Sequence, residues 1–112
     1  MEIDNIVFID NLPKLDLHGF DRETARVAVN DFVRDNIKLQ NQFINIVHGI
    51  GSGVIKSAVH NELKRNKNVV DYKTYYYNQG CTIAKIKIKN KIWQIKKIWY
   101  NNYQQRGKKT YF

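Results

Sequence analysis

Phe43-Ile44-Asn45-Ile46-Val47, apolar at four of five positions, runs straight into His48-Gly49-Ile50-Gly51-Ser52-Gly53. A near-continuous apolar run predicts a central strand buried on both faces. Glycines at alternate positions directly after it let the backbone turn sharply. Beyond the turn, Ile55, Ala58, Val59 and Leu63 recur at helical spacing and form one apolar stripe. A buried strand that turns at once into an amphipathic helix commits the chain to an α/β layer.

The flanking segments supply the rest of that layer. Leu15-Asp16-Leu17-His18-Gly19 alternates apolar and polar residues and stops at glycine, as a short strand does. Asp21 is placed to cap the next helix, in which Ala25, Ala28, Val29, Phe32, Val33 and Ile37 form one stripe. Val69 to Tyr77 is rich in β-branched and aromatic residues and reads as a third strand. Asn78-Gln79-Gly80 makes a turn. Thr82 to Ile88 reads as a fourth strand, its Ala84, Ile86 and Ile88 alternating with Lys85, Lys87 and Lys89. The order βαβαββ, with right-handed crossovers, places both helices on one face of the sheet and leaves the other at least partly open. Residues 1–13 form an N-terminal extension and 14–88 the domain. The tail, 89–112, carries Ile92, Ile95, Trp99 and Tyr103 at the spacing of a basic helix.

Composition narrows the class. The 112 residues suffice for one compact domain. Their 43% apolar content, with seven Tyr, five Phe and two Trp, can furnish a core. No apolar run approaches the roughly 18 residues of a membrane span. Met1-Glu2-Ile3-Asp4 does not open a signal peptide, and the single cysteine, Cys81, can form no intrachain disulfide. A reduced, cytoplasmic, soluble domain is expected. Its net charge of +9 is unevenly spread. Residues 1–71 hold all ten acids against nine Lys and Arg, whereas 72–112 hold ten Lys and Arg and no acid. Such asymmetry points to a polyanionic partner, nucleic acid or an anionic membrane surface, or else to a solubilising tail.

Two constellations bear chemistry. Asp16 and His18, two apart on a strand, point to one face about 6.5 Å apart. A carboxylate beside an imidazole can share proton transfer near neutral pH. The same spacing also suits a histidine bonded to backbone at a strand end, with Asp16 serving a nearby turn. In the second constellation, His48, Gly49, Gly51, Ser52 and Gly53 lead into a helix start whose N–H groups can cradle a phosphate, with Lys56 one turn on. The same residues also suit a tight turn without ligand. The pattern is neither a P-loop, since Ile55 and not glycine precedes Lys56, nor the dinucleotide fingerprint. His60 is expected to face solvent on the second helix, and no ligand set has zinc spacing. Cys81 reads as a small packing residue. Alternate members of Tyr72, Tyr75, Tyr76 and Tyr77 are available to stack on bases. In the tail, Lys89, Lys91, Lys96, Lys97, Arg106, Lys108 and Lys109 surround Trp93, Trp99, Tyr100 and Tyr103, a composition suited to binding nucleic acid without choosing sequence.

Together, the LDLHG box at 15–19, HGIGSGVIK at 48–56 and Gly80-Cys81-Thr82-Ile83 resemble the Smr domain, the small MutS-related module, over about residues 14–88. The resemblance implies a two-layer α/β (α+β) fold like the C-terminal domain of translation initiation factor three: a four-stranded mixed sheet with two helices. It also implies nucleic-acid binding and, in many members, endonuclease activity on RNA or nicking of DNA. Asp16 and His18 match the box tied to cleavage. His48, Gly49, Gly51, Gly53 and Lys56 match the loop tied to substrate phosphates. Ile55 stands where the family has leucine, and Lys56 where it often has arginine, so bidentate phosphate contact is lost. Asn78, Gln79 and Cys81 depart from the family's glycine-rich turn followed by alanine. The expected activity is metal-independent cleavage of RNA, ribosome-associated mRNA included, with no cofactor and no membrane partner. His18 is the general acid or base, Asp16 orients it or its water, and the 48–56 loop holds the phosphate. The alternatives are a non-catalytic RNA- or ribosome-binding module and a DNA-nicking enzyme of repair or recombination.

Overall fold

The computed structural model describes residues 2–6 and 8–88. After a one-turn 3-10 helix at Ile3–Asn5 come β1 (Lys14–Asp16), α1 (Arg22–Lys38), β2 (Phe43–Val47), α2 (Val54–Arg65), β3 (Val69–Thr74) and β4 (Cys81–Ile86). The four strands form one mixed sheet in the order β1-β2-β4-β3. β1 and β2 are parallel, and β4 runs antiparallel to both β2 and β3. β1, β2 and β3 therefore point the same way. Both crossovers lie on one face, where α1 and α2 pack against each other.

The core lies between that face and the helices. Leu17, Ile44, Ile46, Ala84 and Ile86 from the sheet side meet Ala25, Val29 and Val33 of α1 and Val59 and Leu63 of α2. Ala28, Phe32 and Ile37 pack at its margin, so the predicted α1 stripe is the buried one. Asp21 caps α1, its Oδ1 accepting from Thr24 N–H at 2.7 Å. β4 is buried at five of six positions because a strand sits on each side of it.

Two strand boundaries differ from expectation. β3 stops at Thr74, not Tyr77, because the chain must reverse to pair with β4. Tyr75 N–H bonds to Cys81 O at 2.8 Å, and Asn78 N–H bonds back to Tyr75 O. β4 spans Cys81–Ile86, not Thr82–Ile88: Lys85 and Ile86 already face Phe43 and Val69, the first residues of its neighbours. The sheet face away from the helices is partly covered. Ile3 is buried there, and Lys73 and Lys85 pair with Asp4 and Glu2 at 2.8 and 3.4 Å. Among the described residues no helix is long and apolar enough to cross a membrane. The predicted C-terminal helix lies outside the described residues.

Candidate nucleic-acid interface

Because β1, β2 and β3 point the same way, the segments 17–21, 48–53 and 75–80 that follow them gather at one end of the sheet. In sheets of this kind the crevice beyond the carboxyl ends of the strands is where ligands bind. Backbone bonds lock the segments together. Leu17 N–H donates to Val47 O at 2.9 Å, and His48 and Gly49 N–H both donate to Gly80 O at 2.9 and 3.0 Å. Gly80 is buried, and a Cβ there would sit 3.3 Å from the Gly49 backbone. The close approach of these two loops leaves a side chain at this position tight against Asn78 and the Gly49 backbone.

The two helix starts differ. At α1, the Asp21 carboxylate fills the N-terminus, and its bonds to Thr24 hold it below the usual carboxylate range. At α2, the N-cap is Gly53 in the left-handed conformation (φ 86°), which offers no side chain, and the first turn holds no acid. Only Ser52 Oγ reaches in, accepting from Val54 N–H at 3.4 Å. The first N–H groups of α2 thus face an open cavity of about 190 Å³ lined by residues 48–56, Lys56 among them. An uncapped helix start with an adjacent cation attracts anions through its dipole and its unspent donors. All the predicted loop residues, His48, Gly49, Gly51, Ser52, Gly53 and Lys56, line this one cavity.

Asp16 and His18 meet differently from the strand-based expectation. β1 ends at Asp16, and His18 lies in the following turn, so alternation no longer dictates its direction. Asp16 Oδ1 accepts from the backbone N–H of His18 at 2.9 Å. The carboxylate therefore shapes the turn that carries His18, and both side chains are exposed. This is the turn-serving geometry that the two-residue spacing also allowed.

His60 does not face solvent as predicted. It is half-buried, with its ring edge-on to Tyr72 at 5.1 Å and to His48 at 6.0 Å. Both imidazoles converge on Thr82 Oγ1: His48 Nε2 at 2.7 Å and His60 Nε2 at 2.8 Å. His48 Nδ1 lies 2.9 Å from Gly49 O, which can only accept, so Nδ1 carries the proton in the neutral ring. Nε2 of His48 then accepts from the Thr82 hydroxyl, whose oxygen in turn accepts from His60 Nε2–H. Burial pushes both imidazoles below the ordinary histidine range; the positive field of Lys56 pushes further on both. Two signals in the sequence mark this cluster. Thr82 shares the parity of Ala84 and Ile86, the helix-facing side of β4, and His60 lies one turn beyond Lys56 on α2.

The model of the Smr domain family matches residues 15–87. This chain belongs to the Smr domain family. It is 32% identical over 77 residues to Endonuclease MutS2 of Staphylococcus saprophyticus, a stretch that is 66% of this chain and 10% of that protein. It is 37% identical over 76 residues to Endonuclease MutS2 of Streptococcus equi, which is 65% of this chain and 10% of the relative. The chain thus spans about a tenth of the length of the curated relatives it matches. The Smr domain of Thermus thermophilus MutS2 superposes with a TM-score of 0.66 at 22% identity, covering 68% of this chain and 99% of that one. YdaL, a stand-alone small MutS-related protein from Escherichia coli, gives 0.63 at 20% identity, covering 66% and 63%. The Smr fold is shared with both.

Within this Smr domain, Cys81 is buried and its burial pushes the thiol upward, the state of a packing residue. Tyr72 is taken up by His60, whereas Tyr76 and Tyr77, 83% and 66% exposed, stand on the β3–β4 turn. No group of three or more His, Cys, Asp or Glu among the described residues could hold a metal ion. The tail cations Lys89, Lys91, Lys96, Lys97, Arg106, Lys108 and Lys109 lie outside the described residues.

Proposed function

We propose that this Smr domain binds nucleic acid and cleaves RNA as an endonuclease. The observation that carries the reading is the uncapped start of α2 beside Lys56, at the same sheet end as the turn bearing His18. The endonuclease names of its MutS2 relatives support it. In this reading the phosphodiester lies at the 48–56 loop, where N–H groups and Lys56 offset the charge that develops on its non-bridging oxygens. His18, exposed on the turn that follows β1, takes a proton from the attacking oxygen or returns one to the leaving oxygen. Asp16 is a positioning residue acting through the main chain of the turn. Ribosome-bound mRNA in the cytoplasm is the substrate this reading favours.

The test incubates the full chain with labelled RNA and DNA, with and without chelator, and maps product ends. RNA cleavage that survives chelation is expected. His18→Ala should abolish it while leaving RNA affinity nearly unchanged, because histidine is not the phosphate-binding cation. Cleavage of DNA alone would replace this reading with DNA nicking. A second reading, a non-catalytic RNA- or ribosome-binding module, is favoured by one contact: Asp16 engages the backbone N–H of His18. Tight binding without cleavage, indifferent to His18→Ala, would establish it.

A further inference from the structure

A groove of about 550 Å³ runs between the first turns of α1 and the exposed side of α2. Arg22 and Arg26 line one wall, Lys64 and Arg65 the other, with the polar side chains of Ser57 and Asn61 between them. The one carboxylate in the lining, Glu62, is buried and already occupied. It accepts from Arg26 Nε at 2.8 Å, Asn30 Nδ2 at 2.9 Å and Arg65 Nη1 at 3.4 Å. The groove therefore presents donors and positive charge, and its single acid is spent inside the wall. A clasp between the helices explains Arg26, Asn30 and Glu62. It does not explain Arg22 and Lys64, which are exposed and have no side-chain partner among the described residues.

The groove is also continuous with the phosphate loop. Ser52, Gly53 and Val54 line both cavities, so the start of α2 is the lip they share. From that lip to Arg65 the helix rises about 18 Å at ~1.5 Å per residue. That is the length of about five stacked nucleotides at ~3.4 Å each.

We propose that this groove binds the phosphodiester backbone of the RNA strand flanking the phosphate held at residues 48–56. Arg22 and Lys64 contribute free cations, and Glu62 holds Arg26 and Arg65 in place against the same strand. Contacts of this kind set register and affinity and read no bases. The proposal rests on the RNA reading above and extends it from one phosphate to a track.

The test titrates the full chain with a labelled 12-nucleotide single-stranded RNA between 50 and 200 mM salt, and repeats it with a 4-nucleotide RNA. In the double variant Arg22→Ala, Lys64→Ala, the log–log salt slope for the 12-mer should shrink by about 1.4, at ~0.7 per phosphate contact. The 4-mer, which the loop alone can hold, should bind both proteins alike. Unchanged thermal unfolding of the variant shows that the fold is kept. A steep slope in the wild type that the variant reproduces would remove the groove and leave the RNA reading standing. A flat slope in the wild type itself would remove both.

Discussion

Thr82 Oγ1 stands 2.7 Å from one imidazole and 2.8 Å from another, and the carbonyl of Gly49 dictates which way the protons point. The chain His60 to Thr82 to His48 to Gly49 ties the 48–53 loop to the middle of the sheet through neutral rings. Protonating either ring turns an acceptor or a neutral donor into a cation next to Lys56. Because the folded rings resist protonation, the unfolded chain binds more protons below its ordinary histidine pKa of about 6.5. This contribution to stability is therefore complete above pH 6.5 and falls away as the pH drops below it. Thr82→Val keeps the shape and leaves both Nε2 atoms without their partner. It should cost about 1–3 kcal/mol, towards the lower end because both rings are half-exposed. Thermal unfolding from pH 8 to pH 5 checks this. A variant as stable as the wild type at pH 8 would show that the hydroxyl carries no weight.

At the scale of elements, α1 and α2 divide their roles at their N-termini. α1 is closed by its own Asp21, whereas α2 begins at Gly53 with no N-cap side chain and no acid in its first turn. What aligns the two helices beside the sheet is the hydrophobic stripe together with Glu62, whose carboxylate reaches across to Arg26 and Asn30. Hydrogen bonds from Asn30 and then Arg26 hold Glu62 below the usual carboxylate range. Its stabilising effect is thus present above about pH 4.5 and lost as the pH falls through the folded value. Glu62→Gln should lower the melting temperature at pH 7 by weakening two charged bonds, and should flatten the acid limb of stability below pH 4.5. RNA affinity should fall modestly, since Arg26 and Arg65 lose the charged acceptor that holds them in the groove wall. An affinity that holds or rises while stability falls would show that Glu62 serves the helix pair alone and does not position the two arginines for the strand.

At the scale of the molecule, charge is segregated. The acids end at Asp71, and ten cations follow without one. By composition, the cations of residues 89–112 are expected to raise affinity for any strand held at the domain, and the aromatic residues among them to stack on unpaired bases. Deleting 89–112 is expected to reduce the salt slope of RNA binding, leave the melting temperature close to that of the full chain and keep the cut sites where they are. The competing reading of Ile92, Ile95 and Trp99, a stripe packed on the domain or on a second copy, requires a large loss of thermal stability with an unchanged slope.

Local and periodic features were legible in the sequence because each is decided within a few residues. The Asp21 cap depends on Thr24 three positions on, and the α1 and α2 stripes depend on a 3.6-residue period. The buried β2 depends on five consecutive residues, and both Smr boxes are short. Tertiary structure decided what depends on long-range pairing. β4 inserts between β2 and β3, and no local signal distinguishes that order from others with the same elements. That insertion places Thr82 beside His48 and His60, residues 34 and 22 positions away in the chain. It also presses Gly80 against Gly49, and it leaves Ile83 and the flanking lysines where Ile3, Asp4 and Glu2 can cover them. The Asp16–His18 pair sits at the boundary between the two kinds. Its residues were evident, but whether their spacing meant a shared strand face or a turn depended on where β1 ended. β1 ended at Asp16, opposite Val47, the last residue of the strand with which it pairs.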